Sequence, residues 1–434
     1  MMSFFKSKTA QDYYNEGIKN MRQGKLQEAI KQYSEAINRD AQFVDAYENR
    51  GNARRELGDL VGAMQDLTKT VQLQPKRASA YYNRALIHDA LGEFEKSVVD
   101  YTQAIQLRPG EPDAFCNRGI AYYQLKRFEE AESDLKTALH FNPKDHIAYY
   151  YQGLIAAEHQ AYDAALIDFD KSITLSARTP QVFATRGKLH QNLGRYDKAI
   201  EDFTHAIQLN NRVSLPYLER GLSRLQMRDL RGALEDLATA TQLNPKDPAA
   251  FVGRSRIARL LGKYDAVIQE CDKAIQLGTH DLEAFFNRAV AHHNLGNLPQ
   301  ALSDCTSALE IDLNHVGVLK ERGMIRAESG DIKGGLSDCN QAILINPAYT
   351  PNYLARGLVK ELANDLDGAV TDYTEAIQRT PEIPDAYLQR AQAYAHQNKY
   401  QFAIADAETF IQRTNNPGSR KVMEELITKW KQES

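Results

Sequence analysis

Asparagines recur at a fixed interval early in the chain. Asn15, Asn49, Asn83 and Asn117 stand 34 residues apart, and Asn287 falls on the same register. A side-chain amide carries both a donor and an acceptor, so a row of them can bond the backbone of an extended peptide without reading its side chains. Further along the residues change character. Leu215, Leu218, Leu222 and Leu225 form one stripe at helical spacing, and Ile147, Tyr150, Leu154 and Ala157 form another. Phe286, Val290, Met324, Leu354 and Leu358 continue the apolar series. Such stripes suit an amphipathic helix as ligand, and the same pattern also serves packing between neighbouring helices. Arg256 and Arg259 offer a local site for an acidic partner, or a solvated face.

Other polar residues have a structural reading. Arginine recurs at 34-residue steps as Arg50, Arg84, Arg118, Arg186, Arg220, Arg254, Arg288, Arg322, Arg356 and Arg390. An acid lies sixteen residues after each, from Asp66 to Asp406, with Asp168 facing Gln152 where the arginine is missing. The spacing predicts a ladder of Arg–carboxylate pairs, because the planar guanidinium can bond a carboxylate with two parallel hydrogen bonds while partly buried. Cys271, Cys305 and Cys339 also stand 34 apart and read as small core residues, since equivalent neighbouring helices lie roughly 8–10 Å apart, beyond disulfide reach. The eleven histidines form no His-x-x-x-His pair, and there is no phosphate loop, nucleophile elbow, dinucleotide fingerprint or zinc signature. No cofactor, metal or catalytic activity is expected.

These residues must be positioned by a repeat. Small residues at Gly17, Gly51, Ala85, Gly119, Gly153, Gly187, Gly221, Ser255, Ala289, Gly323, Gly357 and Ala391 set a 34-residue frame of 10–43, 44–77, 78–111, 112–145, 146–179, 180–213, 214–247, 248–281, 282–315, 316–349, 350–383 and 384–417. Residues 1–9 precede it, and 418–434 follow as a helix with Val422, Leu426, Ile427 and Trp430 on its covered side. Position 20 of the frame is small in every repeat but one, where Val267 stands, and position 27 is mostly Ala, with Phe410 the clearest departure. Position 4 is aromatic in all but one, Leu319. Gly or Asn at position 15, as in Gly24 and Asn398, suits a left-handed helix end, and Pro near position 32, as in Pro75 and Pro143, stops the second helix.

In these features the chain resembles the tetratricopeptide repeat family over residues 10–417. The resemblance implies an all-α, right-handed superhelical solenoid of twelve helix-turn-helix repeats with a C-terminal capping helix. It also implies that positions 2, 5, 9 and 12 of each first helix line a concave groove. There the groove residues are Asn15, Asn49, Asn83 and Asn117, beside position 5, then Tyr150, Leu154, Leu218, Leu222, Leu225, Arg256, Arg259, Phe286 and Val290. The asparagine row is similar to the ladder in the repeats of O-linked N-acetylglucosamine transferase, and is also ordinary consensus at this position. The family's carboxylate clamp for chaperone tails is not matched. Tyr14, Ile18, Ser79 and Asn83 occupy its positions with Asn49, so a chaperone tail is not the expected ligand.

Composition narrows the function. The 434 residues carry 53 Lys and Arg against 57 Asp and Glu, a net charge of −4, and the groove positions hold seven acids against five bases. That lining gives no phosphate track, so no nucleic-acid partner is expected. No run of apolar residues is long enough to span a membrane. The start, MMSFFKSKTA, lacks a secretory core, and Phe4-Phe5 with Lys6 and Lys8 reads as a frayed end or a small anchor. The expected protein is a soluble, cytoplasmic, non-catalytic adaptor or scaffold that binds a protein as extended peptide or amphipathic helix. A structural part of a cytoskeletal or ciliary assembly, or the recruiting subunit of an enzyme held elsewhere, fits the same residues.

Overall fold

Helix starts and stops are written into each 34-residue period, and the chain obeys them. The computed structural model describes residues 8–433, so Phe4, Phe5 and Lys6 lie outside the described residues. Among those residues there are twenty-five helices and no strand. The first pair is Ala10–Arg22 with Leu26–Arg39 and the second Val44–Leu57 with Leu60–Leu73; the pattern continues to Pro384–His396 with Tyr400–Arg413. Thr9 opens the first helix with a capping box, and Asp59, Asp229, Asp331 and Asp365 cap second helices by accepting a backbone N–H. The turn inside each pair needs a left-handed residue. Glycine supplies it at Gly24, Gly58 and five later turns, while Lys126, Gln160, Arg228, Asn364 and Asn398 adopt the same conformation with φ between 58° and 62°.

The chain forms two compact units, one ending at Asn210 and the other starting at Asn211. Within each unit every helix packs on the next in sequence. First helices also touch first helices, as Val44–Leu57 does with Ala78–Ala90 and as Ser214–Gln226 does with Pro248–Leu260. Each unit is therefore an all-α stack of helix pairs, stabilised by nearest-neighbour burial.

Close approach within a pair depends on residue 8 of the frame meeting residue 24. A Cβ on Gly153 would lie 2.6 Å from Phe169 Cε1, and one on Gly119 would lie 3.0 Å from Leu135 Cγ. Where residue 8 carries a Cβ, residue 24 shrinks: Ser255 goes with Cys271, Ala289 with Cys305 and Ala391 with Ala407. Ala85 with Tyr101 departs from this trade, and the Tyr101 hydroxyl is drawn off to Asp89 at 2.6 Å. Cys271 and Cys305 are thus volume compensation, whereas Cys339 stands opposite Gly323 and departs from the trade. All four are buried and free, and burial raises their thiols, that of Cys271 to about 11 and that of Cys339 to about 12, so they stay protonated.

The arginine–acid ladder forms within each repeat that carries both members. Arg118 Nε and Nη2 donate to the two oxygens of Asp134 at 2.6 and 2.8 Å. Its Nη1 reaches Thr102 of the preceding pair at 2.9 Å, and the guanidinium lies 5.8 Å from the Phe115 ring. The aromatic at position 4 therefore backs the ladder, while residue 24 fills the space beside the small residue. Asp168, without an arginine, meets only Lys171 at 3.4 Å, and burial lifts its carboxyl above the usual range with Lys171 opposing.

The closing helix, Pro417–Glu433, buries Met423, Ile427 and Trp430 against Tyr387 and Phe410. Val422, expected on the covered side, is 57% exposed. The covered stripe is Met423, Ile427 and Trp430, because one neighbouring pair alone sets the rotation of this helix. Phe410, larger than the usual alanine, fills space under it.

Candidate functional site

Polar residues at positions 5 and 6 of the first helices rung one helix to the next. In the first unit Asn49 Nδ2 donates to the Tyr14 hydroxyl at 2.9 Å, and Asn117 Nδ2 donates to the Tyr82 hydroxyl at 3.0 Å. Asn83 Nδ2 points to Glu48 at 3.4 Å, and Tyr150 meets Thr185 across 3.2 Å. Each of these asparagine amides therefore spends one hydrogen inside the protein and keeps its carbonyl oxygen and second hydrogen. Asn15 is exposed at the start of the row, where it accepts from Gln11. Tyr150 and Leu154 are half-buried against Phe169, Val182 and Leu189. Asn287, in the second unit, is buried and donates to Ser255 at 3.1 Å.

The leucine stripe of the second unit needs correction. Leu218 and Leu225 are buried, packed with Leu237, Ala250 and Ile257, and Leu222 is half-buried beside them. The stripe is turned into the contact with Pro248–Leu260, so Leu218 and Leu222 serve packing, while Leu225 both packs there and walls a cavity at the end of its helix. Leu215 remains 52% exposed. Phe286 and Val290 are half-buried, with the Phe286 ring edge-on to His315 at 5.8 Å. Met324, Leu358 and Leu362 line a cavity of about 540 Å³ with Glu328, Glu361 and His396. Arg256 lies 3.3 Å from Glu283, while Arg259 forms no ion pair among the described residues.

The partners of several groove groups on this face were not legible in the sequence. Arg77 pairs with Asp45 at 2.6 Å and with the buried Glu48, so two of the groove acids are neutralised from within the same repeat. A pair of bases, Lys76 and Arg77, at the end of a repeat that begins with two acids was the available signal. His293 Nδ1 lies 2.6 Å from Glu321 and Nε2 3.0 Å from Glu328. The hydrogen bond to Glu321 raises the imidazole above its ordinary range, with burial opposing. Asp89 and Glu361 each accept a hydrogen bond from the tyrosine twelve residues on, and burial raises both carboxyls. These pairs recur in register with the repeat and carry no nucleophile beside a base. Among the described residues no group of three metal-ligating side chains converges. No described helix is long and apolar enough to cross a membrane.

Stacked short helix pairs with a residue-varied face define an α-helical repeat protein. Tetratricopeptide repeat models match residues 112–145, 180–212, 218–281 and 354–419, and a TPR repeat model matches 20–58 and 89–126. Together these segments span more than half of the chain, which belongs to the tetratricopeptide repeat family. Proteins of this family act in general as protein–protein interaction scaffolds. No curated protein sequence matches the chain. Among solved structures, the Cut9–Hcn1 hetero-tetramer of the APC/C is similar in fold, with a TM-score of 0.55 and 14% identity over 98% of this chain and 97% of that one. Yeast Tom70 aligns over 97% of this chain and 95% of its own, with 16% identity and a TM-score of 0.39. A tetratricopeptide repeat protein from Parabacteroides merdae aligns over 54% and 93%, with 22% identity and a TM-score of 0.46.

Proposed function

We propose that the chain is a non-catalytic adaptor, built on twelve repeats over residues 10–417, that holds a peptide or partner helix against its first-helix face. The observation that carries this reading is the cavity walled by Met324, Leu358 and Leu362 on that face of the second unit. Leu362 is 55% exposed, and an apolar wall open to water is stabilised when another apolar surface covers it. The rung asparagines of the first unit support the same reading more weakly, since each keeps an acceptor and a donor for a ligand backbone.

The test is partner capture with quantitative mass spectrometry, comparing wild type with Leu358→Glu/Leu362→Glu. Neither residue is fully buried, so the variant is expected to keep its helical signal and melting behaviour. Partners lost from the folded variant support a ligand-binding face. The full set of partners retained would remove this face from the function and favour the outer helices, as in a structural role within an assembly.

A further inference from the structure

A second cavity on the same unit has a different chemistry. It measures about 550 Å³ and lies between the ends of Ser214–Gln226 and Pro248–Leu260. Leu225, Leu230 and Leu260 provide apolar walls, and Arg228, Arg256 and Arg259 provide three guanidinium groups. Leu260 is 61% exposed.

The ladder shows how this chain treats arginine when the role is structural. Arg322 donates twice to Asp338 at 2.8 Å, and Arg326 adds a third bond to the same carboxylate at 2.8 Å. The cavity arginines are not treated so. Arg256 has one carboxylate, Glu283 at 3.3 Å, whereas Arg228 and Arg259 form no ion pair among the described residues. Arg259 Nε is moreover shielded from water without a hydrogen-bond acceptor among the described residues, as are Arg55 Nε and Arg254 Nε, but Arg254 has Glu270 for its charge and Arg259 has no such carboxylate. A buried unmet donor is costly and calls for an explanation, and an acceptor brought by a ligand is one. Apolar walls lower the local dielectric, which strengthens the attraction of these cations for an anion.

We infer that this cavity receives an acidic side chain, aspartate or glutamate, next to an aliphatic or aromatic one, on a protein partner. The inference rests on the reading of the first-helix face as a protein-binding surface and names the chemistry of one contact on it. The carboxylate bonds Arg259, with Arg228 and Arg256 closing around it, and the neighbouring apolar side chain lies on Leu230 and Leu260. A nucleic acid is disfavoured because Glu283, Glu321 and Glu328 stand on the following first helices and would repel a continuous polyanion.

The experiment selects binders from random dodecapeptides displayed on phage, where no peptide has a free C-terminus, using the full chain as bait. Wild type is expected to enrich peptides with Asp or Glu beside Leu, Ile, Phe or Met. Changing that acid to its amide is expected to weaken a synthetic, C-amidated copy about tenfold, as does Arg228→Gln/Arg259→Gln in the protein. Arg259→Lys keeps the charge and is expected to lose less, and all variants are to match wild type in helical signal. An enriched pool without acidic bias overturns the cavity inference and leaves the binding face standing. So does an acidic bias that survives the double variant. A wild-type bait that enriches nothing counts against the binding face itself and takes the cavity inference with it.

Discussion

The first-helix faces of the two units solve one packing problem with different chemistry. In the first unit neutral rungs, Asn49 with Tyr14 and Asn117 with Tyr82, satisfy neighbouring helices with each other. Its acids Asp45 and Glu48 are matched by Arg77. In the second unit the same face carries Arg256, Arg259, Phe286, His293 and Leu358, and it leaves open cavities with apolar walls. A repeat must satisfy its neighbours but need not do so by the same residues. Where intramolecular bonds engage the polar groups, as in the first unit, the face is mainly structural and keeps only part of each amide for a ligand. Where they do not, surface remains for a ligand.

The largest expected effect tests whether this holds for the ladder too. Asp338, in the second unit, accepts from Arg322 and Arg326, and Asp338→Asn is expected to cost about 3–5 kcal/mol because two partly buried cations lose their carboxylate. Asp168, in the first unit, is the ladder member without its arginine, and burial already disfavours its charge. Its raised value means that it destabilises the fold at neutral pH, an effect that grows as pH rises through that value. Asp168→Asn is therefore expected to be neutral or stabilising, by less than about 1 kcal/mol. Denaturant melts of the two variants check this; equal losses would show that the acid matters independently of its partner.

The next effect concerns volume. Cys305 fills the second unit beside Ala289, as Phe169 fills the first beside Gly153. Cys305→Tyr is expected to cost about 1–3 kcal/mol by overpacking, and Ala289→Gly is expected to recover part of it. Gly153→Ala is expected to cost a similar amount, about 1–3 kcal/mol, recovered in part by Phe169→Cys. Additive losses in either double variant would mean that residues 8 and 24 of the frame do not share one space.

Much of this architecture was legible because few residue types meet its demands. Only small residues allow the approach at Gly153 and Gly357, and a guanidinium suits the ladder, so both recur at 34-residue steps. The ladder's pairing within a repeat could be read from the joint absence of both members in the first, where Glu16 and Gln32 stand instead. The face was harder to read. An apolar stripe such as Leu215, Leu218, Leu222 and Leu225 has the same pattern whether it packs on the next helix or lines a groove. Only the tilt of Pro248–Leu260 against it decides, and that buries Leu218 and Leu225. The closing helix shows the same limit: with neighbours on one side only, Met423 and not Val422 turns inward. Arg77 reaches Asp45 across 32 residues of sequence, which no local spacing announces.

The smallest effect separates the two kinds of rung by their response to pH. His293, on Leu282–Asn294, is faced by Glu321 and Glu328 of Val316–Glu328, and Lys320 lies 3.9 Å from Glu321. The bond to Glu321 lets the folded chain hold the imidazole proton more tightly than the unfolded chain does. This stabilisation is complete below the ordinary histidine value of about 6.5, and it is lost as pH rises through the higher folded value. Hydrogen-exchange protection of Val316–Glu328 is therefore expected to fall by about 1 kcal/mol between about pH 6 and the alkaline side of that value, once corrected for the intrinsic rate. His293→Gln should abolish the fall. The neutral rung from Asn117 to Tyr82 supplies the control, because its asparagine has no proton to lose in that range. A slope unchanged in His293→Gln, or one of equal size around Asn117, would show that the charged rung is no more responsive than the neutral one.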